Sequence, residues 1–485
     1  MSELHLPWLE LAVLIPLVGA IIISRMRDSY EARKWSAVIS LLSLFCTTSA
    51  WLDFYTLGTT EASDRWDLVS RISGRRLFVM DELSAPLLPM IGLLHFLTTL
   101  ATLRTKMRRY SFAWSLVAEA IRVAIFSSKA PWTVIALLAL GTIPPFFELL
   151  ARGKSTRVFL VHMLAFITLM VGGWSFAESE GTARVHSLWA IVPLLLAVLI
   201  RSGMVPTHLW VTDLFEKATF GTALLFVTPL TGAYAALRLV LPIAPDWVLR
   251  SIGLLSLVTV VYAAGMALVQ REARRFFCYL FLSHSALVLV GLEVVNPIGM
   301  TGALSLWLSI AFSLGGFGLT LRALESRFGR LSLAEFHGLY EHTPALAVCF
   351  ALTGLASVGF PGTLGFVGTE MLVEGAVEAY PHVGIVLVIA AALNGIAVVR
   401  AYFWLFTGTR HSSTVSLGIG IRERLAVLTL ALLILGGGFY PQPGVRSRYD
   451  AAKRLLDERT LHHLNDENSK DELAQELPGT GDHEK

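Results

Sequence analysis

The amino-acid sequence predicts an all-α polytopic membrane protein with about fourteen transmembrane helices. Three observations predict it. Of 485 residues, 54% are hydrophobic and only 15% charged, with a mean hydropathy of +0.63, whereas a water-soluble domain carries about a quarter charged residues. Apolar runs recur along the chain, each long enough to cross a hydrocarbon core of about 30 Å as a helix. Lys and Arg collect in alternate loops between those runs, as they do on the cytoplasmic side of a membrane.

The runs fall at 8–24, 36–56, 78–102, 111–127, 131–150, 158–177, 185–205, 219–241, 248–270, 276–295, 299–321, 344–379, 382–408 and 424–441. Backbone groups in lipid must bond within their own segment, so the runs read as helices. The first, from Leu11 to Ile23, follows Glu3 and Glu10 without a basic flank. It reads as a retained helix, not a cleaved signal. The run 344–379 is too long for one span and contains Phe360-Pro361-Gly362, then Gly365 and Gly368. The segment 185–215 is interrupted at Gly203 and Pro206. Two broken helices are therefore expected.

Arg25, Arg27, Arg33 and Lys34 mark the first loop, Arg104, Lys106, Arg108 and Arg109 the third, Arg152, Lys154 and Arg157 the fifth. Arg271, Arg274 and Arg275, then Arg322, Arg327 and Arg330, then Arg410, Arg422 and Arg424 continue the series. The alternation predicts an N-terminus outside the cytoplasm, in a bacterial inner membrane. Fourteen crossings return the C-terminus to the same side, against the charge rule for Arg446, Arg448, Lys453 and Arg454. The tail is expected to open with an amphipathic helix carrying Tyr449, Ala452, Leu455 and Leu456 on one side. Its end, 466–485, is polar and acidic and is expected to be disordered.

The composition excludes several function classes. A formal charge of +3 gives no case for nucleic acid. Cys46, Cys278 and Cys349 stand alone, without metal or redox spacing, and read as small buried hydrophobes. No GxGxxG or P-loop pattern is present. No cofactor, metal or catalytic redox site is expected on this chain, so any redox chemistry belongs to a partner.

Charges inside apolar runs are the informative residues, because each costs roughly 2.5–3.5 kcal/mol at mid-membrane on insertion scales and asks for a partner, water or a role. Arg201 ends the run 185–200, and His208 and Asp213 follow Pro206. Glu148, His284, Glu370 and Arg400 lie within other runs. Broken helices free backbone groups that can bind ions, which makes these seven residues the candidates for a proton path. The structural alternative is that those near helix ends, Glu148 and Arg400 among them, reach out to the headgroups. No lysine occurs between Lys217 and Lys453, and arginine keeps its proton at physiological pH. Arg201 can therefore tune a neighbour but not relay a proton. A second group, Glu216, Lys217, Glu272, Arg274 and Arg275, reads as loop charges and charge pairs.

Three motifs carry a resemblance. Arg201-Ser-Gly-Met-Val-Pro206-Thr-His208-Leu-Trp210-Val-Thr-Asp213 is followed by Gln270-Arg-Glu272-Ala-Arg274-Arg275 through Ser283-His284, and then by Phe360-Pro361-Gly362-Thr-Leu-Gly365-Phe366-Val-Gly368-Thr-Glu370. Smaller echoes are Asp81-Glu-Leu83-Ser84, Tyr234-Ala-Ala-Leu-Arg238 and Gly438-Phe-Tyr440-Pro441. In this order they resemble the antiporter-like membrane subunits of NADH:quinone oxidoreductase, subunit M most of all. The resemblance implies two inverted five-helix repeats, at 111–241 and 248–408, between three N-terminal helices within 1–110, a last helix within 409–444 and a charged tail, 445–485. It also implies proton translocation within a hetero-oligomeric complex, with the lipid bilayer, other membrane-arm subunits and protons as partners. The chain departs from the family where a broken-helix lysine becomes Arg201, where an eighth-helix lysine or histidine falls near Leu230, and where the fifth-helix glutamate is displaced to Glu148. A membrane subunit of a cation/proton antiporter or an inorganic-carbon uptake complex, or a structural paralogue that conducts nothing, are the competing expectations.

Overall fold

A computed structural model describes residues 2–66, 71, 74, 76–103, 107, 110–181, 186–408 and 420–476, except the side chains of residues 293 and 461–476. Arg104, Lys106, Arg108, Arg109 and Arg410, and the tail from 477 on, lie outside the described residues. Helices follow one another as Trp8–Ser24, Ser29–Leu57, Leu87–Leu100, Phe112–Phe126, Pro131–Leu140, Ile143–Ala151, Arg157–Ser179, Leu188–Ser202, Leu209–Lys217, Phe220–Val227 and Thr231–Ala235. A π-helical turn, Ala236–Val240, leads to Asp246–Val269, Ala273–Val294, Pro297–Phe328, Pro344–Ser357, Leu364–Ala379, Pro381–Phe406, Ile421–Phe439 and Gln442–Glu476. Among the described residues eight helical segments are long and apolar enough to cross a membrane, and shorter apolar helices stand between them.

The core lies where the helices have no polar face to offer water. Of the residues in an 18-residue apolar stretch of Phe220–Val240 and of Pro297–Phe328, 94% and 89% are buried, against 28% in Arg157–Ser179, which presents Leu160, Val161 and Leu164 outward. Small residues let the central helices approach. A Cβ built on Gly302 would stand 2.3 Å from the backbone nitrogen of Leu372, and one on Gly375 would stand 2.5 Å from that of Gly299. The Pro297–Phe328 and Leu364–Ala379 helices therefore touch backbone to backbone, as glycine-lined membrane helices do. Gly302→Ala is expected to separate them at a cost of about 1–3 kcal/mol, read as a lower midpoint of heat inactivation; an unchanged midpoint would contradict the close packing.

Both expected breaks are present. Gly203 ends its helix at φ +69°, and the chain resumes as helix at Leu209. Gly359 and Gly362, both at positive φ, separate Pro344–Ser357 from Leu364–Ala379. Two further interruptions correct the sequence reading. The run 131–150 is divided at Gly141-Thr142, ahead of Pro144-Pro145. The run 219–241 is broken at Pro229, which lacks an N–H, and at Leu230, whose φ is +52°. Trp307 Nε1 donates to the freed Pro229 carbonyl at 3.0 Å, so the break carries its own partner. The run 78–102 also begins later than expected: Asp81 and Ser84 close a hydrogen-bonded turn, and helix starts at Leu87.

At one end of the bundle Ser2–Leu4, Glu61–Asp64 and Met80–Asp81 form a small sheet, parallel between the first two strands and antiparallel between the last two. The tail helix turns by 80° from Ile421–Phe439 and lies on the same end. Arg448 donates to the carbonyls of Leu83 and Glu82 at 3.1 and 2.5 Å, Arg454 to Thr60 at 2.6 Å, and Arg459 to Ala244 at 3.1 Å. N-terminus and tail thus share a face. Arg448, Arg454 and Arg459 cap loop carbonyls at this end of the bundle. The buried side of this helix carries Arg448, Ala451, Ala452 and Leu455, with Leu456 partly buried beside them, as expected for Ala452, Leu455 and Leu456; Tyr449 is exposed, which removes it from the predicted face. Helix continues to Glu476, so 466–476 are helical where disorder was expected; their Glu, Lys, Leu and Ala content favours helix.

Candidate functional site

The break after Ser202 is built by its own motif. Trp210 Nε1 donates to the freed Ile200 carbonyl at 2.8 Å, Thr207 Oγ1 to Met204 at 2.8 Å, and Val205 N–H to Thr259 Oγ1 at 3.0 Å. These bonds replace the helix ladder that the break removes, which otherwise leaves costly unpaired groups. They hold Arg201 in the interior, with its guanidinium over Phe226 at 4.3 Å and Trp210 at 5.6 Å. His208 is buried against Tyr262 and Tyr279, with ring centroids 5.5 and 6.1 Å away.

Glu148 does not reach toward headgroups. It is buried and accepts the Thr219 N–H at 2.7 Å and the Thr222 hydroxyl, capping the Phe220–Val227 helix, whose positive end favours a carboxylate. Glu148 and Arg122 line one cavity of about 20 Å³, together with Tyr110, Ser115 and Thr222. That is room for a water molecule or two. Arg122 donates to His95 Nε2 at 3.1 Å, and Glu119, a turn away on the same helix, accepts from Ser40 Oγ at 2.6 Å.

A second polar group surrounds the other expected break. His284 is buried, its Nδ1 2.7 Å from the Leu280 carbonyl, and it borders a cavity of about 10 Å³ with Ser357, Thr369 and Asn394. Asn394 Nδ2 donates to Ser283 Oγ at 2.8 Å, and that hydroxyl donates to the Val260 carbonyl at 2.9 Å. Ser357 ends the helix at the break, so His284 faces the interruption directly.

The remaining candidates are placed elsewhere. Glu370 lies on the exposed face of its helix, opposite the buried Gly365, Gly368 and Leu372, and shares that face with Glu374 and Glu378. It is not brought to His284. Arg400 is partly exposed, near the Phe406 end of its helix. Asp213 pairs with Lys217 at 2.6 Å, and Lys217 also donates to the Ser155 carbonyl. Glu216 pairs with Arg275 at 2.8 Å on the surface, where such pairs contribute about 0–1 kcal/mol. Arg274 holds Glu325 through two bonds of 2.5 Å and also donates to the carbonyls of Phe215 and Ala218. Glu272 is exposed, and its backbone pairs with Ser332.

The sequence reading missed Glu119, Arg122, His95 and Asn394. For Glu119 and Arg122 the signal was present, since both are charges inside an apolar run three residues apart. His95 and Asn394 offer no charge in sequence and emerge only from their partners.

The comparisons agree with these motifs. Residues 156–394 match the family model described as NADH:quinone oxidoreductase/Mrp antiporter, transmembrane. NADH-quinone oxidoreductase subunit M of Pseudomonas aeruginosa is 24% identical, covering 90% of this chain and 94% of the relative. NAD(P)H-quinone oxidoreductase chain 4 of Synechococcus sp. (strain WH7803) is 25% identical over 93% and 90%. A chain of respiratory complex I from Thermus thermophilus superposes with a TM-score of 0.79 at 21% identity, covering 93% of this chain and 99% of that one. A chain of the Mrp complex from Dietzia sp. DQ12-45-1b gives 0.79 at 18% identity, over 94% and 98%. The matched segment, 156–394, carries Arg201, His208 and His284 and is similar in sequence to the NADH:quinone oxidoreductase/Mrp antiporter transmembrane family.

Proposed function

We propose that the chain is a membrane-arm subunit of an NADH:quinone oxidoreductase-like complex and contributes to proton translocation while partner subunits carry out electron transfer. The observation that carries this reading is the water-sized cavity that joins Glu148 to Arg122 inside the bundle. A buried carboxylate facing a cavity beside fixed positive charge is a group that can take up and release a proton. His284, at a second cavity beside a second break, supplies an imidazole whose two ring nitrogens can accept and hand on a proton. Arg122 and Arg201 keep their charge and bias these groups electrostatically.

In this reading the chain crosses the membrane fourteen times. Residues 111–241 and 248–408 are inverted repeats that follow a three-helix segment within 1–110, and 409–444 and 445–485 hold the last helix and the tail. The N-terminus lies outside the cytoplasm of a bacterial cell. The shared face of N-terminus and tail supports the even count. The equal structural likeness to an Mrp complex chain favours, as second reading, a subunit of a cation/proton antiporter. Chains that copurify separate the two: flavin and iron–sulfur subunits support the first, several small membrane subunits the second.

His284→Ala tests the mechanism. In the assembled complex it is expected to lower the number of protons moved per electron pair while quinone reduction continues. Full stoichiometry in a normally assembled variant would remove His284 from the path. His284→Gln, which retains a donor toward Leu280, controls for packing.

A further inference from the structure

Arg201 is a buried charge without a counter-charge. Its residue is 6% exposed, no ion pair to it exists among the described residues, and its Nε has no partner. The charge that interacts with it is Arg122, of the same sign. The faces of Phe226 and Trp210 offset part of this cost, but a guanidinium cannot shed its proton to escape burial, as a lysine at this position could. Beside it lies a cavity of about 20 Å³, bordered by Arg201, Ser202, Trp210, Leu230, Thr231 and Ser285. Two of these side chains, Ser202 through Oγ and Thr231 through Oγ1, are buried hydroxyls that also lack partners. The side chains that bear these three unsatisfied polar atoms and one uncompensated positive charge thus border a single space. Buried polar groups are normally bonded, and a single occupant of this space would meet all three once these side chains turn toward it.

That occupant must be negative, must accept from one N–H and two O–H donors, and must be small. A phosphate or a carboxylate with its substituents exceeds the space, whereas a monoatomic anion fits where one or two waters would. We propose that the cavity beside Arg201 binds a halide-sized monovalent anion, chloride in the cell, which serves as the counter-ion of Arg201. The site lies where the Ser202 break meets the Leu230 break, so the anion neutralises the charge that two interrupted helices bring into the bundle. Its binding does not depend on which partner complex the chain serves.

The test measures binding, not transport. With the complex purified in detergent and gluconate as the background anion, the ³⁵Cl resonance is followed as chloride is added. A saturable broadening that bromide displaces is expected, and Arg201→Gln is expected to abolish it. Thr231→Val, which keeps the shape and removes one donor, is expected to weaken the affinity by about tenfold, the value of one hydrogen bond to an ion. Absence of a saturable component in the unaltered complex, or its persistence in Arg201→Gln, overturns the proposal and leaves water in the cavity. Where Arg201→Gln fails to assemble, an unchanged affinity in Thr231→Val overturns it equally.

Discussion

Asp81→Ala is expected to destabilise the protein by about 3–5 kcal/mol, because it leaves the Arg238 guanidinium buried without its partner. Both side chains are nearly inaccessible, and they meet through two bonds of 2.7 Å, from NH1 to Oδ2 and from NH2 to Oδ1. Arg238 sits on the π-helical turn Ala236–Val240 and Asp81 in the third strand, so the pair ties the end of a central span to the small sheet. Lys129 stands 3.6 Å from Asp81 but keeps Glu61 as a partner when Asp81 is removed, so Arg238 is the charge left orphaned, and the Ser84 bonds to Oδ1 are lost with it. The expected readings are a smaller assembled fraction and a lower midpoint of heat inactivation. Asp81→Ala combined with Arg238→Leu should lose less than Asp81→Ala alone, since the double change removes both charges. Equal loss in both would show that the pair is not the cause.

The pH dependence of that effect has a definite sign. Burial alone would raise the Asp81 carboxyl, but Arg238, Lys129 and the Ser84 backbone bond outweigh it and hold it well below its ordinary value of 3.8. A depressed folded value contributes stability above the unfolded value, and that contribution disappears only as pH falls through the folded one. The difference between the native protein and Asp81→Ala is therefore expected to be constant from neutral pH down to about 5 and to shrink only in stronger acid.

Asp81 and Arg238 also mark what a sequence can and cannot disclose. Each belongs to a short motif that resembles the antiporter-like subunits, and each motif was legible alone. Their pairing across 157 residues was not, because local pattern carries no information about which loops meet. The broken helices divide similarly. Gly203 and Gly362 announce their breaks, since positive φ at a Pro/Gly cluster needs glycine. The break at Leu230, a leucine at φ +52°, has no such residue and is held instead by Pro229 and by the bond from Trp307 on a distant helix. Helix positions followed from apolar length alone, because lipid leaves the backbone no other choice.

The candidate site was legible where burial could be read from charge cost, as at Arg201, Glu148 and His284. It failed at Glu370, where the side facing the bundle is decided by Gly365, Gly368 and Gly375 packing on the next helix. A carboxylate on the opposite face is then turned outward whatever its depth. Hydropathy assigns depth along a helix, and packing assigns direction around it.

Glu148→Gln separates the two roles open to the deepest carboxylate on the candidate path. As a cap it accepts from Thr219 N–H and Thr222 O–H, and a glutamine amide can serve the same pair, its carbonyl accepting one bond and its NH₂ meeting a rotated hydroxyl. The negative charge at the helix N-terminus is lost, which costs about 1 kcal/mol, too little to prevent assembly. The titratable proton is lost altogether. The variant is therefore expected to assemble, to reduce quinone and to move fewer protons per electron pair, with a larger deficit than in His284→Ala because no other carboxylate borders that cavity. Proton counting in vesicles against the rate of quinone reduction decides the matter: a normal ratio would leave Glu148 as the cap of the Phe220–Val227 helix and return the path to other groups.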